Sequence, residues 1–139
     1  MLLLRPLEEA VREVEDLDDS LPSGDKIDEG IKSLIIGLRR WGIETQASCE
    51  GDKASLPYPY VDVNESCLPL LVEAIRLYYA ANSKGRGVWD PHYQWVIRPF
   101  FGMVRMQPQD ISRLLTELQQ EAREFGEFLQ RFEQAAEPS

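Results

Sequence analysis

The chain has 139 residues, of which 43% are hydrophobic and 28% are charged. This length and composition are typical of one globular domain with a single core, and they exclude the low-hydrophobicity, high-charge class of disordered chains. The 24 acidic residues outnumber the 15 basic ones, and the formal charge of -9 repels phosphate, so nucleic-acid binding is not expected.

Two amphipathic helices are predicted before residue 42. The first ends near Asp18, tolerates Pro6 in its first turn, and has apolar residues at helical spacing: Leu4, Leu7, Val11 and Val14. The breaker residues 21–24 separate it from a second helix, which Asp25 caps and Gly42 ends, with the stripe Ile27, Ile31, Leu34, Leu38 and Trp41. Residues 1–22 are therefore an N-terminal helix and linker.

A first β-hairpin is predicted between residues 43 and 63. The period changes to two after Gly42, which predicts a strand with Ile43, Thr45, Ala47 and Cys49 on one face and Glu44, Gln46, Ser48 and Glu50 on the other. Residues 51–57 are loop-like, and residues 58–63 resume an extended alternation. The two strands form a hairpin with a long connection.

A third helix, a second hairpin and a final helix complete the chain. Asn64 or Ser66 caps the third helix. Its apolar stripe is Leu68, Leu71, Val72, Ile75 and Tyr79, widened by Leu70, Ala74 and Leu77. Residues 82–87 end it, and residues 93–98 and 102–106 are predicted to be two strands. Pro108 and Asp110 then open a helix of about six turns that reaches Phe132, and residues 135–139 are expected to be a frayed tail.

This order of elements predicts an α+β fold in a single domain, residues 1–139. The two hairpins form one four-stranded antiparallel sheet, the helices pack on one face of it, and a long C-terminal helix follows. That helix would be about 35–40 Å long, more than the sheet needs for cover. Its distal apolar residues therefore predict a homodimer contact: Phe125, Phe128, Leu129 and Phe132.

A cytoplasmic location is expected, because no long apolar run fits a signal peptide or a membrane span. The two cysteines, Cys49 and Cys67, are too few for a disulfide scaffold and lack the spacing of a zinc site, so free thiols and no metal are expected. The acidic runs in the first and last helices are interpreted as solvated helix faces, with a cation site or a basic partner as alternatives.

The reactive residue types concentrate in Ser48, Cys49 and Glu50, which precede Gly51 at the end of a predicted strand. A hydroxyl, a thiol and a carboxylate beside a flexible glycine suit a ligand site. The predicted polar pocket is lined by Thr45, Ser48, Cys49, Glu50, Tyr60 and Trp95. The alternative is structural: Cys49 is a small core residue, and Ser48 is a satisfied hydroxyl at a strand edge.

This segment resembles an uncharacterised family of small bacterial and phage proteins. The shared pattern is Gly-Ile-x-Thr-x-x-Ser-Cys-x-Gly-His followed by a Pro-Tyr-x-x-Val strand, and the chain matches it from Gly42 to Gly51 and from Pro57 to Val61. Asp52 stands where the family pattern often has histidine. The turn Ser48–Gly51 is also similar to the Ser-Cys-x-Gly turn of the tRNA wybutosine-synthesising methyltransferase type.

An alternative site is a phosphate cradle formed by Lys84, Arg86, Arg98 and Arg105. It lacks the spacing of a P-loop or of a dinucleotide-binding loop, and a solvated turn is the other interpretation. His92, the single histidine, is not assigned a role, and the sequence indicates no particular cofactor.

Two functions follow from these interpretations. The first is a non-enzymatic interaction or small-ligand-binding module, since no catalytic constellation is visible. The alternative is an RNA- or nucleotide-modifying enzyme with the Ser48–Gly51 turn in its active site and the four basic residues on phosphate.

Overall fold

The computed structural model describes residues 3–21, 27–83 and 93–133 of the chain. Residues 22–26, which include most of the predicted breaker segment 21–24 and the predicted cap Asp25, lie outside these ranges. So do the basic residues Lys84 and Arg86, His92 and the predicted tail. The elements run in the order α1 (Leu7–Ser20), α2 (Glu29–Arg40), β1 (Thr45–Cys49), β2 (Tyr60–Asn64), a 3-10 turn (Glu65–Cys67), α3 (Leu68–Ser83), β3 (Trp95–Phe100), β4 (Met103–Pro108) and α4 (Leu115–Arg131).

The four strands form one antiparallel sheet in the order β1-β2-β4-β3. The two hairpins, β1–β2 and β3–β4, join where β2 pairs with β4. The predicted α+β class and the sheet built from two hairpins are therefore confirmed. Among the described strands, β1 and β3 are the two edges, and Pro99 suits β3 because an edge strand tolerates a missing main-chain donor.

One face of the sheet forms the core with the helices. Cross-strand rows on this face place Val61 beside Met106 and Val63 beside Val104. These side chains join one buried cluster with residues of all four helices, among them Val14, Leu34, Leu71 and Phe125. The opposite face, called here the outer face, carries the intervening residues of the same strands, because side chains alternate along a strand.

Helices α1 and α2 are amphipathic as predicted, with different details. The buried residues of α1 are Ala10 and Val14, whereas Leu7 of the predicted stripe is partly exposed. Asp28 rather than Asp25 precedes the first residue of α2. Gly42 follows α2 with a φ of 77°, the left-handed conformation that ends a helix at little cost for glycine.

The buried stripe of α3 is rotated from the predicted one. Leu71, Ala74, Ile75 and Tyr78 are buried, while Val72 is exposed. The predicted cap is confirmed at Asn64, whose side chain accepts hydrogen bonds from the backbone N–H and the hydroxyl of Ser66. It caps the 3-10 turn that leads into α3.

Helix α4 is shorter than predicted. Pro108 belongs to β4, and Asp110 accepts hydrogen bonds within a separate turn, so α4 spans 17 residues or about 25 Å. Phe125 and Leu129 are fully buried in the core of their own chain. The predicted homodimer surface is therefore wrong for these two residues, and Phe128 and Phe132 are partly buried against the same core.

Candidate functional site

The segment that ends β1 does not follow strict alternation. A bulge between Thr45 and Ala47 places Thr45 and Ser48 opposite the core-facing Val63 and Val61. Ala47 and Cys49 lie opposite Asp62 and Tyr60, on the outer face. The predicted common face for Thr45, Ala47 and Cys49 is therefore wrong, because one extra residue in a strand inverts the side chains that follow it.

Thr45 is held by an ion-pair network at the first edge of the sheet. Arg39 donates from Nε to Thr45 Oγ1 (2.9 Å) and from Nη2 to the Thr45 carbonyl (2.7 Å). Its Nη1 binds Glu13 of α1 at 2.6 Å, and Glu13 also binds Arg5. The hydrogen bonds from the two guanidinium groups, with that of Arg5 the larger effect, lower the pKa of the Glu13 carboxyl. This network joins α1, α2 and β1.

Glu50 has a structural position at the N-terminus of α2. Its Oε2 accepts a hydrogen bond from the Gly30 backbone N–H at 2.7 Å, and its own N–H donates to the Asp28 carboxylate at 3.1 Å. Helix N-termini favour carboxylates, because their first N–H groups have no partner within the helix. The Glu50 side chain therefore links the first hairpin to α2.

Cys49 lies half-buried on the outer face, and its Sγ accepts a hydrogen bond from the Gly51 N–H at 3.3 Å. Tyr60 is its cross-strand partner. Burial, and then the neighbouring Cys49, raise the pKa of Tyr60, so the phenol stays protonated at neutral pH.

The outer face centres on Arg105, which is almost fully buried. Its guanidinium lies 3.8 Å from the ring centroid of Tyr60 and 3.5 Å from that of Phe100, and it binds both carboxylate oxygens of Asp62. Arg98 is the cross-strand partner of Arg105 and is exposed. Of the four predicted phosphate ligands, Arg98 and Arg105 lie within the described residues. The charge of Arg105 is already paired with Asp62.

Trp95 lies away from the other predicted pocket residues. It is fully buried, packs on Phe125 with ring centroids 5.3 Å apart, and its Nε1 has no hydrogen-bond partner among the described residues. The six predicted residues are thus distributed over both faces of the sheet, the core and the α2 terminus. Thr45 and Ser48 line one cleft, and Cys49 and Tyr60 are paired on the outer face.

That cleft, called here the edge cleft, has a volume of about 270 Å³ and lies between α1, α2 and β1. Its walls combine aliphatic side chains with a few polar groups, and they are Leu17, Leu21, Ile27, Ile35, Arg39, Thr45, Gln46, Ala47 and Ser48. Sequence reasoning missed the contribution of Leu17, Leu21 and Arg39. The available signal was a pair of leucines at the end of α1 that the predicted stripe did not include.

Within the described ranges, no three residues of the metal-binding types are grouped closely enough to hold a metal ion. No helix in those ranges has both the length and the apolar character of a membrane span. Comparison of the chain with protein-family models, with curated proteins and with solved structures finds no match.

Proposed function

We propose that the chain is a non-enzymatic interaction module that binds an extended segment of another protein along β1. The observation that carries this proposal is that the edge cleft touches four consecutive residues of an edge strand, from Thr45 to Ser48. Ala47 and Ser48 project to opposite faces of the sheet, so a cleft that meets both of them follows the main chain at the strand edge. Extended peptides bind such edges by adding a strand to the sheet.

The chemistry of the cleft indicates which segment fits. Leu17, Leu21, Ile27 and Ile35 supply an aliphatic surface, which suits one large apolar side chain of the bound segment. The Ser48 hydroxyl and the main chain of residues 46–48 supply polar contacts, since the Thr45 carbonyl is already bound by Arg39. Helix α1 beside the cleft carries many acids, so basic residues flanking the apolar one would complement it.

A selection from phage-displayed random peptides tests the proposal, with Leu21→Lys as the variant and Leu114→Lys as its matched control. Both leucines are exposed, but only Leu21 lines the edge cleft. The expected peptides combine an apolar residue with basic flanks, bind the wild type and the control alike, and lose at least tenfold in affinity for Leu21→Lys. The amide NMR signals of residues 45–49 should shift on binding.

Peptides that bind all three proteins equally and leave the β1 amides unshifted would refute the proposed site.

Self-association is a second use of the same edge, because two β1 strands paired about a twofold axis would join two sheets. Sedimentation of the wild type and of Leu21→Lys separates the two uses. A wild-type dimer that the variant abolishes would identify the partner as a second copy of the chain. A monomeric wild type would indicate that the β1 edge binds a different protein in the cytoplasm.

The RNA- or nucleotide-modifying alternative has less support. Ser48 and Cys49 project to opposite faces of β1, so the turn does not present its hydroxyl and thiol together. Arg105 is paired with Asp62, and Arg98 lies on β3, at the opposite edge of the sheet from β1.

A further inference from the structure

A second cleft, which shares no lining residue with the edge cleft, carries a different chemistry. It lies between the C-terminal part of α3, the residues before β3 and the C-terminal half of α4, and it has a volume of about 560 Å³. Its walls include four aromatic rings and two carboxylates, from Tyr78, Tyr93, Phe128, Phe132, Glu124 and Glu127. We call it the aromatic cleft and propose that it binds the methylated ammonium group of an organic cation.

The rings are arranged as walls rather than as a stack. The Phe128 ring lies 5.4 Å from that of Tyr78 and 5.7 Å from that of Phe132, with interplanar angles of 60° and 52°. The Tyr93 ring lies 6.1 Å from that of Tyr78 at 75°. The partly exposed rings of Tyr93, Phe128 and Phe132 line the cleft, and Tyr78, which is 1% exposed, supports them from the core. Methylated ammonium groups bind among such aromatic side chains.

Neighbouring contacts hold three of these rings in place. The Tyr78 hydroxyl donates a hydrogen bond to Glu121 Oε1 at 2.7 Å, and its ring stacks on that of Phe125 at 4.5 Å. Phe132 packs against Trp41, and Arg40 Nη1 binds its carbonyl at 2.6 Å. Phe128 packs between the rings of Tyr78 and Phe132. The aromatic walls are therefore preorganised, which reduces the cost of binding.

The charge around the rings selects for a cation. Glu124 and Glu127 lie one turn apart on α4 and both line the cleft, and Arg131 is the one basic residue among the described lining residues. The chain as a whole carries a formal charge of -9. A phosphate would be repelled by this field, whereas an ammonium group gains both from the carboxylates and from the ring faces.

A pair of isosteric probes tests this inference on the unaltered protein. Choline carries a trimethylammonium group, and 3,3-dimethyl-1-butanol has the same shape without the charge. We expect choline to shift the NMR signals of Tyr93, Phe128 and Glu127 saturably, and the neutral alcohol to bind at least fivefold more weakly. Equal binding of the two probes, or no saturable binding of choline, would overturn the proposal.

Variants place the binding in the cleft. Phe128→Leu keeps an apolar side chain but removes a ring, and Glu127→Gln removes one charge, so each should weaken choline binding at least threefold. Glu117→Gln is the matched control, because Glu117 lies in the first turn of α4 and does not line the cleft. Loss of binding in the control to the same degree would show that general charge, rather than the cleft, attracts the ligand.

The trimethylammonium group occurs in small metabolites and on methylated lysine side chains. The affinity of a basic peptide with one trimethyllysine, compared with that of choline, separates these sources. The same peptide without the methyl groups is the control for the contribution of the methylated ammonium group. Tighter binding of the methylated peptide than of choline would identify a protein ligand. Equal or weaker binding would identify a small molecule.

Discussion

Asp62 and Arg105 are cross-strand partners on β2 and β4 and form a two-armed ion pair, with Nε–Oδ1 and Nη2–Oδ2 distances of 2.7 and 2.9 Å. Asp62 is 1% exposed and Arg105 is 6% exposed, so each charge depends on the other for solvation. Replacing only one partner, as in Asp62→Leu or Arg105→Met, should lower the free energy of unfolding by about 3–5 kcal/mol. Urea denaturation measures this loss.

The double variant Asp62→Leu/Arg105→Met should recover much of that loss, because no unpaired charge is then buried. The Tyr60 and Phe100 rings that enclose the guanidinium would then enclose an aliphatic chain. A double variant whose loss equals the sum of the two single losses would show that the two residues act independently.

Gly126 lies where α4 crosses α2. A Cβ at this position would stand 2.5 Å from the Leu34 nitrogen and 2.6 Å from the Ser33 oxygen, both of them backbone atoms. Alanine normally stabilises a helix by about 1 kcal/mol relative to glycine, but the clash should reverse the sign here. Gly126→Ala is therefore expected to destabilise the protein by about 1–3 kcal/mol.

Gly42→Ala is the matched control for this prediction. No atom lies within 4 Å of a Cβ at Gly42, and its φ of 77° leaves only a backbone penalty of about 1 kcal/mol. Thermal denaturation of both variants compares the two effects. A Gly126→Ala protein as stable as the wild type would mean that α2 and α4 can move apart without a loss of unfolding free energy.

Glu50 is predicted to stabilise α2 from outside the helix. Glu50→Ala removes the acceptor of the Gly30 N–H and should cost about 1–2 kcal/mol, while Glu50→Gln keeps an acceptor oxygen and should cost less. Glu44→Ala, at an exposed position just before β1, is the control. Faster hydrogen exchange at Gly30 in Glu50→Ala alone would confirm the role, and equal exchange in the three variants would contradict it.

Local sequence signals predicted the elements whose position depends on one strong feature. Gly42 ended α2, Asn64 capped the turn before α3, and the two hairpins formed the expected sheet. Features that depend on competing contacts were missed. The helical spacing of Ile111 and Leu114 predicted an earlier start of α4 than Leu115. In the structure Pro108 ends β4, and Asp110 accepts hydrogen bonds from Ser112 in a turn that precedes the helix.

The candidate sites were harder to predict for two physical reasons. The β1 bulge exchanged the faces of Ala47 and Cys49, and nothing in the residue types of a strand announces a bulge. Both clefts combine residues from distant parts of the chain, such as Leu21 with Ser48 and Tyr78 with Phe128. Such combinations depend on helix packing, which spacing along the sequence does not contain.

Glu13 makes the stability of the α1 attachment dependent on pH. Its pKa lies below the ordinary value because Arg5 and then Arg39 donate hydrogen bonds to the carboxylate. A carboxyl whose pKa is lowered on folding contributes stability above its unfolded pKa, about 4.3, and loses it as the pH falls through the folded value. Wild type should therefore exceed Glu13→Gln in stability at pH 7, and the difference should be smaller at pH 3, below the unfolded pKa. A difference that is the same at both pH values would contradict this assignment.

Phe101 occupies the turn of the second hairpin in a conformation that suits other residues better. Phe101 and Gly102 have φ values of 45° and 80°, the two positive angles of a type I′ turn, and Phe101 is 89% exposed. Phe101→Asn should raise the free energy of unfolding by about 0.5–1 kcal/mol, because asparagine adopts this conformation more readily. Phe101→Ala is the control: it also loses the ring contact with Phe100, which has centroids 4.7 Å apart, but keeps the backbone penalty. Thermal denaturation should rank Asn above both Phe and Ala. Because both variants lack the ring contact, an asparagine variant no more stable than the alanine variant would refute the role of the turn conformation.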